Sequence, residues 1–122
     1  MINVVLIDDD ESTIDLITAF LPKENYSVFS TLSAKTGVEY IKNNHVDVLI
    51  TDIIMPEVSG LEVISEMIRI KPNLKIIAIS GGGAINTKQF LALAGGLGAH
   101  KILSKPFVAN DLLSALKELF PE

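Results

Sequence analysis

Cysteine is absent from the 122 residues, which excludes a disulfide framework and a thiolate zinc site and is compatible with a reducing compartment. Histidine is scarce as well: His45 and His100 stand far apart, thin material for a metal centre, and they read as ordinary surface or half-buried imidazoles. Lysine and arginine form no cluster and the formal net charge is −5, so no surface suited to neutralising a run of phosphates exists and direct nucleic-acid binding is not expected. No apolar run approaches the length that spans a bilayer, and the first residues enter a strand-like segment without a signal-peptide pattern. The expectation is a cytoplasmic chain without membrane insertion. Linkers, repeats and low-complexity segments are missing too.

What is present is apolar material, 48% of the residues, enough for one domain over residues 1–122 to bury a core without staples. Asn3 to Ile7 is a Val/Ile/Leu run too short for a helix and too apolar for a strand with one wet face, so it reads as a fully buried strand. Ile14, Ile17 and Leu21 then recur at helical spacing, with Pro22 as a stop. Tyr26 to Thr31 is β-branched and aromatic, a second strand. Ser33 is placed to cap a helix that buries Ala34, Val38 and Ile41.

The third strand is expected over Val46 to Thr51. Ser59-Gly60-Leu61-Glu62 has the form of a capping box, opening a helix with Leu61, Ile64 and Ile68 inward and Pro72 as terminator. Lys75 to Ser80 is a fourth strand, and Gly81-Gly82-Gly83 a loop. Asn86 is expected to cap a weaker helix that packs through Phe90, Leu93 and Leu97 and is interrupted by Gly95-Gly96, leaving a soft end. His100 to Ser104 closes the set of strands, and Leu112, Leu116 and Leu119 mark a last helix. Five strands alternating with five helices predict a doubly wound α/β domain, a parallel sheet covered on both faces by right-handed crossovers.

In such sheets functional groups gather outside the carboxyl ends of the strands. Asp8-Asp9-Asp10, Asp52, Ser80 and Lys105 all fall at those ends. Each has a plain reading alone: Asp10 as helix cap, Asp52 as turn residue, Ser80 as loop hydroxyl, Lys105 as solvated charge. Their shared edge changes the odds. Two carboxylates about 4 Å apart repel by roughly 4 kcal/mol at an effective dielectric near 20, so a convergent set needs a cation. Oxygen-only ligands that leave room for water and a phosphoryl group suit Mg²⁺ better than a full Ca²⁺ cage. Asp52, the single carboxylate facing a pair, is the best nucleophile for phosphorus, with Lys105 and Ser80 available to the other phosphoryl oxygens.

The order and spacing of these residues resemble the receiver domain of two-component response regulators, the single-domain chemotaxis-regulator type being similar in size. The matching motifs are Asp8-Asp9, Asp52 with Met55-Pro56 and Gly60 in the pattern D-x-x-M-P-x-x-x-G, Ser80, and Lys105-Pro106-Phe107. The resemblance implies the flavodoxin-like strand order 2-1-3-4-5 and phosphorylation of Asp52 by a phosphohistidine on a sensor histidine kinase or a histidine phosphotransfer protein. It further implies Mg²⁺ held by Asp9, Asp52 and the backbone carbonyl of Ile54, with Asp8 acting through water, and a cis Lys105-Pro106 bond. Lys105 would pair with the phosphoryl group and Ser80 would move to hydrogen-bond it. No small-molecule turnover is implied beyond the chain's own phosphorylation and dephosphorylation. Partners, including a phosphorylation-dependent dimer, would use the face of Lys101, Ile102 and the Leu112 to Phe120 segment. The output is open between a stand-alone regulator and a receiver joined to another domain.

Three departures from the family pattern matter. Ile102 stands where the family commonly has Tyr or Phe, which predicts a muted switch or one that uses backbone shifts. The Ser80–Lys105 interval is long, with the surplus in Ser80 to Ala84, either a plain turn or a backbone-amide nest for phosphoryl oxygens. Ile54 and Gly82, at the positions that tune dephosphorylation, cannot orient a water with their side chains, which predicts a long-lived acyl phosphate. Two other architectures fit less well. A haloacid dehalogenase-type phosphatase needs a second acid where Ile54 stands, and a flavodoxin-like flavin binder needs a phosphate loop where three aspartates stand. A non-phosphorylated pseudo-receiver is disfavoured because the acids are kept.

Overall fold

The computed structural model describes residues 1–55, 58–80 and 87–121, with the side chains of 87–91 left aside. The expectations for Pro56, for the Gly81–Ala84 loop with Gly82, for the Asn86 cap and for the packing of Phe90 fall outside the described residues. Strands β1 (Ile2–Ile7), β2 (Tyr26–Thr31), β3 (Val48–Asp52), β4 (Lys75–Ser80) and β5 (Lys101–Ser104) alternate with helices α1 (Glu11–Phe20), α2 (Ala34–Asn43), α3 (Gly60–Ile70), α4 (Thr87–Leu97) and α5 (Ala109–Leu119). All pairings are parallel and the order is β2-β1-β3-β4-β5.

The period of two along β1 explains why both sheet faces are covered. Val5 and Ile7 point into a core shared with Val38 and Ile41 of α2, Val63, Ile64 and Met67 of α3, and Ala94 of α4. Val4 and Leu6 point the other way, onto Ile17 of α1 and Leu112, Ala115 and Leu116 of α5. Leu49 and Ile50, adjacent on β3, are both fully buried on opposite faces. At about 1.5–3 kcal/mol for each large aliphatic side chain taken from water, these runs are the main force that seats the sheet between its helices.

Local chemistry sets the boundaries. Asp10 caps α1 through the amide of Ser12, and Ser33 caps α2 through the amide of Thr36. Ser59 accepts from Leu61 N–H at 3.1 Å, whereas no bond returns from Glu62 among the described interactions, so the expected capping box is a simple cap. Pro22 does not end the first helical segment outright. It sits at the start of a 3-10 turn, Leu21–Glu24, which closes on Asn25 in the left-handed region. β3 begins two residues later than expected and includes Asp52; just before it, Asp47 accepts from Asn3 N–H (2.8 Å) with its carboxylate. The buried stripe of α3 is Val63, Ile64 and Met67, with Leu61 and Ile68 only partly covered.

The β4–β5 side departs further from expectation. α4 runs through Gly95 and Gly96 to Leu97 without interruption, and Gly98 then turns the chain with φ of +120°. Leu93 and Leu97, expected inward, are 56% and 42% exposed, and among the described side chains of α4 it is the small Ala94 that is buried in the core. Ile102 on the neighbouring strand is exposed to the same degree, 42%. Its terminal methyl lies 3.1 Å from the place a Cβ on Gly95 would occupy.

Candidate functional site

Three strand ends build the site. β1 delivers Asp8 and Asp9, β3 ends on Asp52, and β5 leads directly into Lys105. Because β1 and β3 are hydrogen-bonded neighbours in parallel register, Ile7 beside Thr51, the acids that follow each strand converge. One carboxylate oxygen from each of Asp8, Asp9 and Asp52 lies within 4.8 Å of the others. Asp8 is fully buried and Asp52 is 4% exposed, while Asp9 faces solvent.

A lysine crosses this cluster. Lys105 Nζ is 3.0 Å from Asp8 Oδ2 and 3.5 Å from Asp52 Oδ2, with Asp10 Oδ2 farther off at 3.8 Å. The Lys105-Pro106 peptide is cis, and Lys105 N–H donates to the Ser80 carbonyl at 2.7 Å, tying the lysine to the end of β4. Asp52 Oδ1 accepts from Ile54 N–H at 3.0 Å, and Asp8 Oδ1 accepts from Asp10 N–H at 2.9 Å. Ser80 ends β4, next to β3, and its hydroxyl is buried without a hydrogen-bond partner.

The electrostatics follow from crowding. Burial pushes the Asp52 carboxyl up to about 6, aided by the charges of Asp8 and Asp9 and opposed by the Ile54 amide and Lys105. Burial also raises Asp8, against the pull of the Asp10 amide and of Lys105. Burial acts downward on Lys105, but the paired carboxylates of Asp8, Asp52 and Asp10 together outweigh it and raise the ammonium above its ordinary value. Asp10 behaves differently. The Ser12 and Thr13 hydroxyls hold it below the usual carboxylate range, as a helix cap should be held.

The donor set fits a hard cation. Asp8 Oδ2 is buried, and although Lys105 stands at ion-pair distance, no aligned donor satisfies it. One lysine cannot neutralise three carboxylates, and oxygen donors of this kind select Mg²⁺-like ions. The backbone around Asp52 is fixed by a contact that residue types alone did not disclose. A Cβ on Gly60 would strike the Asp52 carbonyl oxygen and the Ile53 backbone, so only glycine lets the start of α3 press on the end of β3. Gly60 N–H also donates to the Ile53 carbonyl at 3.1 Å, and the Thr51 hydroxyl donates to the Asp52 carbonyl at 2.9 Å.

Asp8, Asp9, Asp52 and Lys105 are thus brought together as expected, with Ser80 at the adjoining strand end. Asp10 was expected to serve only as a cap, yet it also lies within reach of the lysine. Ile54 contributes its N–H to Asp52 and leaves its side chain exposed.

Comparison with known proteins agrees with this geometry. The response regulator SaeR of Staphylococcus aureus is 29% identical over 119 residues, spanning 98% of this chain and 50% of SaeR. The chain therefore covers about half the length of the curated relatives it matches. A response regulator receiver domain from Clostridium thermocellum superimposes with a TM-score of 0.87 at 30% identity, covering 98% of this chain and 94% of the other. The solution structure of a beryllofluoride-activated NtrC4 receiver domain dimer gives 0.88 at 28% identity, with 98% and 97% covered. The family model for the response regulator receiver domain matches residues 4–117, and the chain belongs to that family.

Proposed function

We propose that Asp52 is the phosphoacceptor of this receiver domain, taking a phosphoryl group from a phosphohistidine on a sensor histidine kinase or a histidine phosphotransfer protein. The observation that carries the reading is the convergence of the Asp8, Asp9 and Asp52 carboxylates within 4.8 Å beneath Lys105. An Asp52 oxygen attacks phosphorus, an O–P bond forms as the N–P bond breaks, and the imidazole departs. The Ile54 amide holds Oδ1, which orients the carboxylate before the donor arrives. Lys105, shared between Asp8 and Asp52, is within reach of a phosphoryl group on Asp52 and supplies positive charge to its oxygens. The Ser80 hydroxyl, with no partner of its own, is the natural further donor.

Asp8, Asp9, Asp52 and the Ile54 carbonyl are the groups that would hold Mg²⁺. When bound, the ion screens the carboxylates from one another and stabilises charge on the transferring group. Beyond its own phosphorylation and dephosphorylation, the chain turns over no small molecule in this reading. Its placement is cytoplasmic, where the donor's phosphohistidine is made, and no helix of the described residues is long and apolar enough to cross a membrane. Partners, a second phosphorylated copy among them, are assigned to the face of Lys101, Ile102 and the Leu112 to Phe120 segment, where Lys101 pairs with Glu118 at 3.0 Å and Ile102 is exposed. With Ile102 at its position the switch is muted or uses backbone shifts, and with Ile54 and Gly82 unable to orient a water by their side chains the acyl phosphate is long-lived.

Incubation with phosphoramidate and Mg²⁺, followed by intact-mass measurement, tests the reading. One phosphoryl group is expected, not taken up when the metal is chelated beforehand and absent from Asp52→Asn. Equal uptake by Asp52→Asn, or uptake indifferent to chelation, would overturn it.

A further inference from the structure

His100 joins α4 to β5, at the end of the sheet away from the carboxylates. Its backbone N–H donates to the Ile76 carbonyl at 2.8 Å, as a parallel ladder requires. Its side chain then does what the backbone there does not: the imidazole Nδ1 accepts from Ile76 N–H at 3.1 Å. Ile76 is fully buried, so its amide has a strong need of an acceptor. An amide N–H can only donate. Nδ1 must therefore be bare, and the neutral ring carries its proton on Nε2.

We propose that His100 is a proton-operated clasp that fastens the start of β5 to β4, released when the imidazole takes up a second proton. Protonation would set an Nδ1–H against the Ile76 N–H, breaking the bond and leaving a buried donor unpaired. The segment so fastened is otherwise held lightly. Gly98 and Ala99 hang from the Ala94 carbonyl at 3.2 and 3.0 Å, and Gly98, at φ of +120°, leaves no room for a side chain beside Ile68 of α3. On β4, Lys75 is the charged group that bears on the ring, and it opposes a second positive charge, in the same direction as burial. Lys101, next along β5, is turned to Glu118 of α5. The other histidine offers an internal contrast: His45 is 79% exposed and has Asp47 at 3.1 Å from Nε2, a partner that protonation strengthens.

The consequence is a pH-sensitive connection into the surface that carries Leu97 and Ile102. The clasp does not rest on the assignment of Asp52, so the two stand or fall separately. Acid should loosen the α4–β5 connection at the His100 ring, at the end of the sheet opposite the carboxylates.

Heteronuclear NMR on the whole chain tests this between pH 7.5 and pH 5. Expected are an Nε2–H tautomer for His100 at pH 7.5, a titration midpoint below the ordinary imidazole value, and an Ile76 amide shift that titrates with the His100 ring. The Ile76 exchange protection factor should fall by about five-fold or more as the ring protonates. His100→Asn, whose Oδ1 stands where Nδ1 stood and does not titrate, should keep Ile76 protected at both pH values, whereas His100→Phe should expose it at both. An Nδ1–H tautomer at pH 7.5, an Ile76 amide blind to the His100 titration, or equal loss of protection in the Asn and Phe variants would each overturn the proposal.

Discussion

Around β3, the start of α3 is pressed so closely on Asp52 that one methyl group on Gly60 would strike the carbonyl of Asp52 itself, whereas on α4 a methyl on Gly96 would meet open space. The same contrast separates the two halves of the sheet. On the β1–β3 side, a Cβ on Gly37 of α2 would meet the Ile7 side chain, Val4 to Ile7 of β1 are buried, and β3 is buried from end to end. On the β4–β5 side, α4 leaves Leu93 and Leu97 in water and β5 alternates between half-covered and exposed residues. The lesson is a division of labour in packing. The three carboxylates hang from the dense half, Lys105 and Ser80 meet them from the other, and the surface proposed for partners lies on the half where movement displaces little buried area.

The strongest way to break that comparison is Gly60→Ala. It should cost about 3 kcal/mol in chemical denaturation, through overpacking against backbone that cannot yield, and should abolish phosphoryl uptake. A substitution tolerated with uptake intact would show that the dense half is not dense where it matters.

Next in size is a gain. Burial holds the Asp52 carboxyl at about 6 against an ordinary 3.8, so the folded chain keeps this proton longer than the unfolded chain does. The stability contributed by this group is complete below about pH 4 and is lost as pH rises through about 6, for a difference of about 1–3 kcal/mol. Metal-free Asp52→Asn should therefore be more stable than the parent at pH 7 by that amount and nearly equal at pH 4. Added Mg²⁺ should narrow the gap at pH 7 by stabilising only the parent. Thermal melts at the two pH values, with and without the ion, measure all three.

On the loose half the effects shrink and change sign. Gly96→Ala should stabilise by about 0.5–1 kcal/mol, the ordinary helix preference of alanine over glycine, since nothing opposes its methyl group. Gly95→Ala should gain less, because its Cβ would approach the Ile102 terminal methyl to 3.1 Å and that methyl must turn aside. Denaturation midpoints for the two variants should rank in that order. The reverse order would mean that Ile102 does not rest over Gly95.

Much of this was legible in the residues because the driving patterns are local. β2 and β4 fall where their runs of β-branched residues begin and end, and Asp10 and Ser33 cap the helices they precede. Strand ends placed Asp8, Asp9 and Asp52 at one edge, and their convergence followed on the condition, met here, that β1 and β3 are neighbours. What could not be read depends on distance across the fold. Helical spacing cannot say which stripe of α4 meets the sheet, and among its described side chains the small, inconspicuous Ala94 is buried where Leu93 and Leu97 were expected to be. The motif glycine Gly60 signals a constraint without naming the carbonyl it avoids. His100, an ordinary histidine by sequence, becomes an acceptor only when β4 lies beside it. Lys105 could be placed at the site but not apportioned, and it lies nearest Asp8 rather than the expected acceptor.

That apportioning makes the identity of the acceptor the point to test most directly. After phosphorylation with a small phosphoramidate donor and Mg²⁺, borohydride reduction converts an acyl phosphate into homoserine at the residue that carried it, and peptide mapping locates it. The account predicts homoserine at position 52 alone; homoserine at position 8 or 9, or none after phosphorylation in Mg²⁺, would contradict it.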